Sequence, residues 1–254
     1  EVGAGSSGLV AGNHYLANLC GLACIGLALP ELSESGRWVR VGLAGLEREA
    51  RRQVLPDGLF WEGSTSYHRL ALELFLIPAL VARRTGADVS TAYWQSIEKM
   101  CEAVMHLTGP DGTVPLVGDN DDGRLLITSG YPNWPRGDLR YLVATGAALF
   151  ARPDMKAAAG EAPPELFWLL GEQGLRDYDS LPAEPARVNA HAFADGGLCV
   201  LRGDSDGDYA LLRSGGAVPG APTGHLHNDA LSIELWLGGE RVTVGPGTLA
   251  YTSD

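Results

Sequence analysis

The densest group of polar side chains that could do chemistry lies in the segment 224–229, which reads Gly-His-Leu-His-Asn-Asp. It follows the Gly- and Pro-rich stretch 215–222 and leads into a β-rich run. On an extended backbone, His225, His227 and Asp229 project to the same side, so the pattern predicts one shared site. An imidazole there can ligate a metal, bind a carboxylate or move a proton near neutral pH. The alternative is a surface turn whose histidines have no role.

A second cluster, Glu-Gly-Ser-Thr-Ser-Tyr-His-Arg, occupies residues 62–69 at the start of a predicted helix. Ser64 or Ser66 fits the capping position of that helix. Tyr67 beside His68 suits acid–base chemistry, because a tyrosine whose pKa is lowered by nearby cations can exchange a proton with a sugar. A capped amphipathic helix start would explain the same residues without any chemistry.

Two further segments carry weaker signals. Asn13 and His14 open the first predicted helix, where free backbone N–H groups can hold an anion. The segment 111–124 is acidic and invites comparison with a calcium loop, but it lacks the ligand spacing and the terminal glutamate of an EF-hand. We expect it to be a solvated turn at the rim of a cleft.

The elements that would position these residues change in type along the chain. Apolar residues at three- and four-residue spacing, with short turn-rich connections, predict helical hairpins. The predicted helices span residues 14–29, 36–54, 66–85, 90–107, 138–150 and 165–171. Later β-rich runs predict strands at 197–202, 208–213, 230–237 and 241–244.

This change predicts an α+β chain with two domains, a helical one over residues 1–185 and an antiparallel sheet over 186–254. So few strands usually need more strands or a partner layer to close a core. The chain begins with Glu1 instead of a methionine. We therefore expect a fragment that lacks its natural ends on both sides.

Composition narrows the class of partner. The net charge of −12 argues against nucleic acid and anionic membrane surfaces as partners, because both require a concentrated positive field. Lys99 and Lys156 are the only lysines, so nearly all positive charge is arginine, whose planar fork grips carboxylates and sulfates locally. The apolar run 16–29 is too short to span a bilayer.

Taken together, the segments resemble the heparinase II/III-like family of polysaccharide lyases, which joins an incomplete α/α toroid to an antiparallel β-sandwich. The matching residues run through the chain in the family's order. They are Asn13-His14, Gln53 with Asp57-Gly58, Glu62-x-Ser64-x-x-Tyr67-His68, Pro110-Asp111-Gly112 and Gly224-His225-x-His227-x-Asp229-Ala230-Leu231-Ser232. The last of these is the most specific.

The resemblance implies β-elimination on an acidic polysaccharide or oligosaccharide that contains uronic acid. Asn13 and His225 would then neutralise the uronate carboxylate, while Tyr67 and His14 would act as base and acid. The expected substrate contacts beyond these four residues are His68, Glu62, Arg69 and Asn228. The resemblance also implies a periplasmic or secreted protein, with a cytoplasmic one left open by the missing natural N-terminus.

The same family often carries a structural zinc, and here the sequence departs from its pattern. By resemblance, His227 would be one ligand, an aspartate in a following Asp-Pro-Gly segment the second, and a later histidine the third. This chain reads Val244-Gly245-Pro246-Gly247, so Gly245 replaces the aspartate. We expect no tightly bound zinc, and we expect Asp229 to orient a histidine, not to bind metal.

Two alternatives stay open at this point. One is a catalytically impaired protein of the same fold that binds glycans or serves exopolysaccharide assembly. The other is a toroid-type glycoside hydrolase, which needs two opposed carboxylates. Its candidates would be Glu62, Asp119 and Asp121.

Overall fold

The computed structural model describes residues 12–120, 123–128, 136–186, 188–204 and 207–248. Helices come first and strands follow, as the sequence predicts. The helices are α1 (Asn13–Ala28), α2 (Ser35–Gln53), α3 (Thr65–Arg84), α4 (Thr91–Leu107), α5 (Arg140–Phe150), α6 (Pro153–Ala159) and α7 (Pro164–Ser180). The strands are β1 (Ala190–Phe193), β2 (Leu198–Arg202), β3 (Tyr209–Arg213), β4 (Ile233–Leu237) and β5 (Glu240–Thr243). None of the described helices is long and apolar enough to cross a membrane.

Helices α1 and α2 pack closely against each other and α1 also packs on α3. A Cβ atom at Gly42 would stand 2.6 Å from the backbone nitrogen of Ala23, and one at Gly45 would stand 2.5 Å from the side chain of Leu19. Only residues without a side chain allow such an approach. The close contact fixes the position of α1, and with it the residues of its first turn.

Helix α3 runs through the core and is buried on most of its sides. Ser64 caps it, because its hydroxyl accepts a hydrogen bond from the N–H of Tyr67 at 3.2 Å. The stretch from Ala71 to Ala82 is mostly apolar around the whole helix, which is typical of a helix inside a core. The first turn of α3 is therefore held at the end of a rigid element.

Helix α7 corrects the prediction that a helix ends at residue 171. Gly171 has a φ of 71°, so the backbone kinks there, but helical structure resumes and continues to Ser180. Leu175 and Tyr178 beyond the kink pack on the core. A glycine often marks the end of a helix. Here the burial of the residues that follow Gly171 stabilises a further helical stretch.

The sheet also differs in detail from the predicted strands. Strand β1 was not predicted, nor was the short helix α6. Strand β4 begins at Ile233 instead of residue 230, because Leu231 has a φ of 65° and cannot continue an extended chain. The segment that carries the two histidines is consequently a loop, not the start of a strand.

The five strands form one antiparallel sheet in the order β1-β2-β3-β4-β5. One face is buried against the helices and contributes Phe193, Val200, Tyr209, Leu211 and Trp236 to the core. The other face leaves several apolar side chains exposed, among them Leu201, Ile233 and Leu237.

Polar contacts hold the sheet against the helices. The carboxylate of Asp57 accepts hydrogen bonds from the N–H groups of Asp195 and Gly196, each at 2.8 Å. The guanidinium of Arg202 donates to the carbonyl of Thr108 at 2.8 Å. Because each bond joins a side chain of one part to the backbone of the other, the bonds set the orientation in which the two parts meet.

Candidate active site

The first turn of α1 holds Asn13 against Glu62. The Asn13 N–H donates to Oε1 of Glu62 at 2.9 Å, and its side-chain Nδ2 donates to Oε2 at 2.8 Å. Both residues are buried. A side chain at Gly12, the preceding residue, would collide with the same carboxylate. Asn13 is therefore fixed through both its backbone and its amide.

The first turn of α3 brings Tyr67 onto the ring of His225. The two rings stack with their centroids 3.6 Å apart and an angle of 17° between their planes. The Nε2 atom of His225 lies 3.3 Å from Nδ2 of Asn13 and 3.6 Å from Oε2 of Glu62. Three of the four residues predicted to be catalytic thus meet at one place. Asn13 and Tyr67 lie on helices, and His225 lies in the loop between β3 and β4.

Asp119 connects the two histidines of the loop. Its Oδ2 lies 3.0 Å from Nδ1 of His225 and its Oδ1 lies 2.8 Å from Nε2 of His227. The two histidines therefore converge on one site, as predicted. They do so by contacting a carboxylate from the helical part, not by lying on one face of a strand. The expectation of a solvated turn at residues 111–124 is wrong for Asp119, whose side chain is only 12% exposed.

The backbone around Asp119 is tied to the same loop. Its N–H donates to the carbonyl of His225 at 2.9 Å, and its carbonyl accepts from the hydroxyl of Ser64 at 2.7 Å. Gly118 has a φ of 68°, and a Cβ there would lie 2.6 Å from the His225 carbonyl oxygen. A glycine that permits this turn was the one signal in the sequence that could have pointed to Asp119.

The two histidines also act on the pKa of Asp119. Burial acts to raise the pKa of its carboxyl group, but hydrogen bonds from His225 and His227 outweigh burial and hold that pKa below its ordinary value. Asp119 is an ionised acceptor near neutral pH. The negative charge of Asp119 thus lies within hydrogen-bonding distance of both histidine rings.

His14 and Asn228 are sequence neighbours of two residues of this cluster. Both side chains are exposed, and the hydrogen bonds and ring contacts described for the site do not include them. His14 follows Asn13 on α1, and Asn228 follows His227 in the loop. Their predicted roles as proton carrier and substrate contact stay predictions.

The structure contradicts the predicted substrate contacts of His68 and Arg69. His68 is 2% exposed, its Nδ1 accepts the N–H of Phe60 at 3.1 Å, and its Nε2 faces the carbonyl of Met100 at 3.1 Å. Arg69 is 1% exposed and donates to the carbonyl of Gly123 at 2.9 Å. Both side chains are occupied inside the helical part.

Glu62 also differs from its predicted role. Its carboxylate is 1% exposed and holds Asn13 through two hydrogen bonds. Glu62 therefore positions Asn13, and its carboxylate is too buried to be a substrate contact.

Buried His68 predicts a loss of stability in mild acid. Burial lowers its pKa from 6.5 to about 4, so the unfolded chain binds a proton in this interval while the folded chain does not. The free energy of unfolding should therefore fall as the pH drops from 6.5 towards 4, by on the order of 3 kcal/mol from this residue. Urea unfolding at the two ends of the interval measures the loss, and His68→Gln should show a smaller one. An equal loss in both proteins would contradict this reasoning.

Asp229 does not orient a histidine, contrary to the prediction. Its carboxylate pairs with the buried guanidinium of Arg213, with Nε and Oδ1 3.1 Å apart. Arg213 also donates to the carbonyl of Gly63 at 3.2 Å. The pair joins the histidine loop to the segment before α3. Asp121, one of the carboxylates considered for hydrolysis, lies outside the described residues.

The described residues do not fit the zinc that the resemblance implies. Nε2 of His227 is directed at Asp119, and a Cβ at Gly245 would stand 2.9 Å from Oε1 of Glu234. Across the described ranges, no three His, Cys, Asp or Glu side chains are grouped to hold a metal ion. We predict less than stoichiometric zinc on the purified protein by elemental analysis. One zinc per chain that survives dialysis would contradict this.

Comparison with known families matches both parts of the chain. The family model described as Heparinase II/III N-terminus matches residues 9–135, which is half of the chain, and Heparinase II/III-like, C-terminal matches residues 185–254. A heparin-sulfate lyase of Pedobacter heparinus is 26% identical over 247 residues, covering 96% of this chain and 33% of its own length. A heparin-sulfate lyase of Bacteroides stercoris is 28% identical and covers 53% of this chain and 22% of its own length.

Solved structures show the same fold. The crystal structure of a heparan sulfate lyase from Pedobacter heparinus superposes with a TM-score of 0.68 at 24% identity, covering 96% of this chain and 34% of that one. A crystal structure of heparinase III gives a TM-score of 0.73 at 19% identity, covering 94% and 35%. The expected fold class, helical hairpins of an α/α toroid followed by an antiparallel sheet, is confirmed. This chain spans about a third of the length of the relatives that match most of it, and it belongs to the heparinase II/III family.

Proposed function

We propose that this protein cleaves a uronate-containing acidic glycan by β-elimination. The observation that carries the proposal is the meeting of Asn13, Tyr67 and His225 at one point between the helices and the sheet. An amide, a phenol and an imidazole are the groups that this reaction needs to bind a carboxylate and move a proton. The relatives named heparin-sulfate lyase support the same chemistry.

The difficult step is removal of the proton on C5 of the uronate. The electron pair left on C5 is stabilised if the attached carboxylate is neutralised, so that charge can move into it as an enolate-like group. The C5–H electrons then form the C4–C5 double bond while the C4–O bond breaks, and the leaving oxygen takes up a proton. No water is consumed, and the products are a new sugar end and an unsaturated uronate.

Each residue of the cluster has a role in this scheme. Asn13 and His225 lie within hydrogen-bonding distance of each other, so a carboxylate placed beside one meets the other. Tyr67 lies flat on His225 and serves as the group that exchanges protons with C5 or the leaving oxygen. His14, which is exposed and one residue from Asn13, is the second proton carrier.

The carboxylates do not favour hydrolysis. Glu62 is buried behind Asn13, and Asp119 is bound to two histidines. Both carboxylates are thus engaged by neighbouring side chains, whereas a hydrolase needs two opposed carboxyl groups that are available to the substrate. Elimination fits the described residues better.

The substrate class follows from the uronate requirement. Heparan-type glycosaminoglycans should be tested first, because the similar proteins are named heparin-sulfate lyases. By the same family resemblance, the protein would work in the periplasm or outside the cell.

Incubation with a panel of uronic-acid polymers tests the proposal. Heparan-type, alginate-type and bacterial exopolysaccharide substrates should be compared, and the ultraviolet absorbance of an unsaturated uronate followed. We expect absorbance to rise with at least one polymer. Binding to a polymer without any rise would instead favour the glycan-binding alternative.

A further inference from the structure

Asp119 makes two contacts that determine where the protons of the histidine pair lie. An ionised carboxylate has no hydrogen to donate, so the atoms facing it must be N–H groups. These atoms are Nδ1 of His225 at 3.0 Å and Nε2 of His227 at 2.8 Å. The two rings are therefore held by opposite nitrogens, although they stand only two residues apart.

The contact on the other side of His225 requires the same arrangement. The Asn13 amide must direct Nδ2 towards Glu62, because its oxygen would otherwise face a carboxylate at 2.8 Å. The second hydrogen of Nδ2 is then available to His225 Nε2 at 3.3 Å, and that nitrogen accepts it. Without substrate, the contacts of Asp119 and Asn13 thus both favour the single proton of a neutral His225 on Nδ1. The Oε2 atom of Glu62, at 3.6 Å from Nε2, lies beyond hydrogen-bonding distance.

We propose that Asp119 is a positioning residue for the elimination, acting by fixing the ring orientation and tautomer of His225. This inference rests on the proposed function of the same site. Through Asp119, Nε2 of His225 faces Asn13, where the uronate carboxyl group would bind; a proton brought between Nε2 and that carboxyl group then neutralises its charge. A metal-ligating or catalytic histidine commonly relies on such a partner at its other nitrogen.

The surroundings of Asp119 make it suited to this task. Its N–H and its carbonyl are both bonded, to the His225 carbonyl and to the Ser64 hydroxyl. The ring of His225 also stacks on Tyr67 at 3.6 Å, which fixes the plane of the imidazole, while Asp119 determines which nitrogen faces which partner. The carboxylate and the phenol ring thus hold the imidazole at its edge and on its face.

Nuclear magnetic resonance on the protein without substrate tests the tautomer directly. Long-range correlation of imidazole nitrogens and protons at mildly alkaline pH distinguishes Nδ1–H from Nε2–H, and His225→Gln and His227→Gln assign the signals. We expect His225 to carry its proton on Nδ1 and His227 on Nε2. A proton on Nε2 of His225 would overturn the inference whether or not the protein cleaves any glycan.

Kinetics of Asp119→Asn test the consequence for the reaction. Asparagine keeps the shape but lets an N–H face one of the histidines, so we expect kcat to fall about 10- to 100-fold with KM changed less than about threefold. The matched control is Asp111→Asn, in the same segment, which weakens a different contact to the sheet through Arg241. It should keep near-wild-type kcat.

The outcomes distinguish the role of Asp119 from the proposed elimination. Wild-type kcat in Asp119→Asn, or an equal fall in Asp111→Asn, would overturn the positioning role. The expected tautomers in a protein that forms no unsaturated product would confirm the arrangement of Asp119 and contradict the proposed function instead.

Discussion

Replacing Tyr67 by phenylalanine should lower kcat for elimination by about 10²- to 10⁴-fold, the usual contribution of a positioned acid–base group. Phenylalanine retains the ring that stacks on His225 at 3.6 Å, so the change removes the hydroxyl and leaves the packing in place. KM should change little, because in the proposed scheme Asn13 and His225 bind the carboxylate. The rate of unsaturated product formation at saturating and low substrate measures both constants.

Tyr178→Phe is the matched control for this change. Tyr178 is also buried, and its hydroxyl donates to the Gly160 carbonyl at 2.8 Å, within the helical part and apart from the described contacts of the site. Loss of that bond should cost about 1 kcal/mol of stability and leave kcat unchanged. If Tyr67→Phe forms product as fast as the wild type, the assignment of Tyr67 is wrong.

The second large effect should come from Asn13→Ala. The variant keeps the backbone N–H that donates to Glu62 at 2.9 Å but loses the amide that reaches both Glu62 and His225. If the amide stabilises the enolate-like intermediate, kcat should fall about 10²- to 10³-fold, as for the loss of one donor to an oxyanion. Initial rates give the change, and thermal unfolding reports whether the fold survives.

Asn18→Ala separates a catalytic effect from a general effect on α1. Asn18 lies on the same helix and is exposed. Its removal should alter neither kcat nor the unfolding temperature beyond small amounts. A similar loss of kcat in the two variants would show that Asn13 acts through the helix and not through the reaction.

Local signals in the sequence predicted much of the framework. The helices α1 to α5 and the strands β2, β3 and β5 lie within a few residues of the predicted positions, because periodic apolar residues and turn-forming residues act over short range. Ser64 as a cap is an example in which one residue type nearly determines a local structure. Asn13, Tyr67 and His225 were predicted from family resemblance, and the structure brings them together.

The errors concern contacts between distant segments. His68 looked like a polar residue at a helix start, but Phe60 and Met100 use both of its nitrogens in the interior. Asp119 was predicted to lie in a solvated turn. In the structure it contacts two histidines that follow it by more than 100 positions in the sequence. Gly118 indicates a tight turn before Asp119, but it does not identify partners so far away along the chain.

The proposed reaction breaks the glycosidic bond by elimination and not by hydrolysis. Mass spectrometry of the products from a defined uronate oligosaccharide tests it most directly. Elimination adds no atoms, so the masses of the two fragments should sum to that of the parent, and one fragment should carry the unsaturated end. Fragments that sum to the parent plus one water would show hydrolysis and contradict the account.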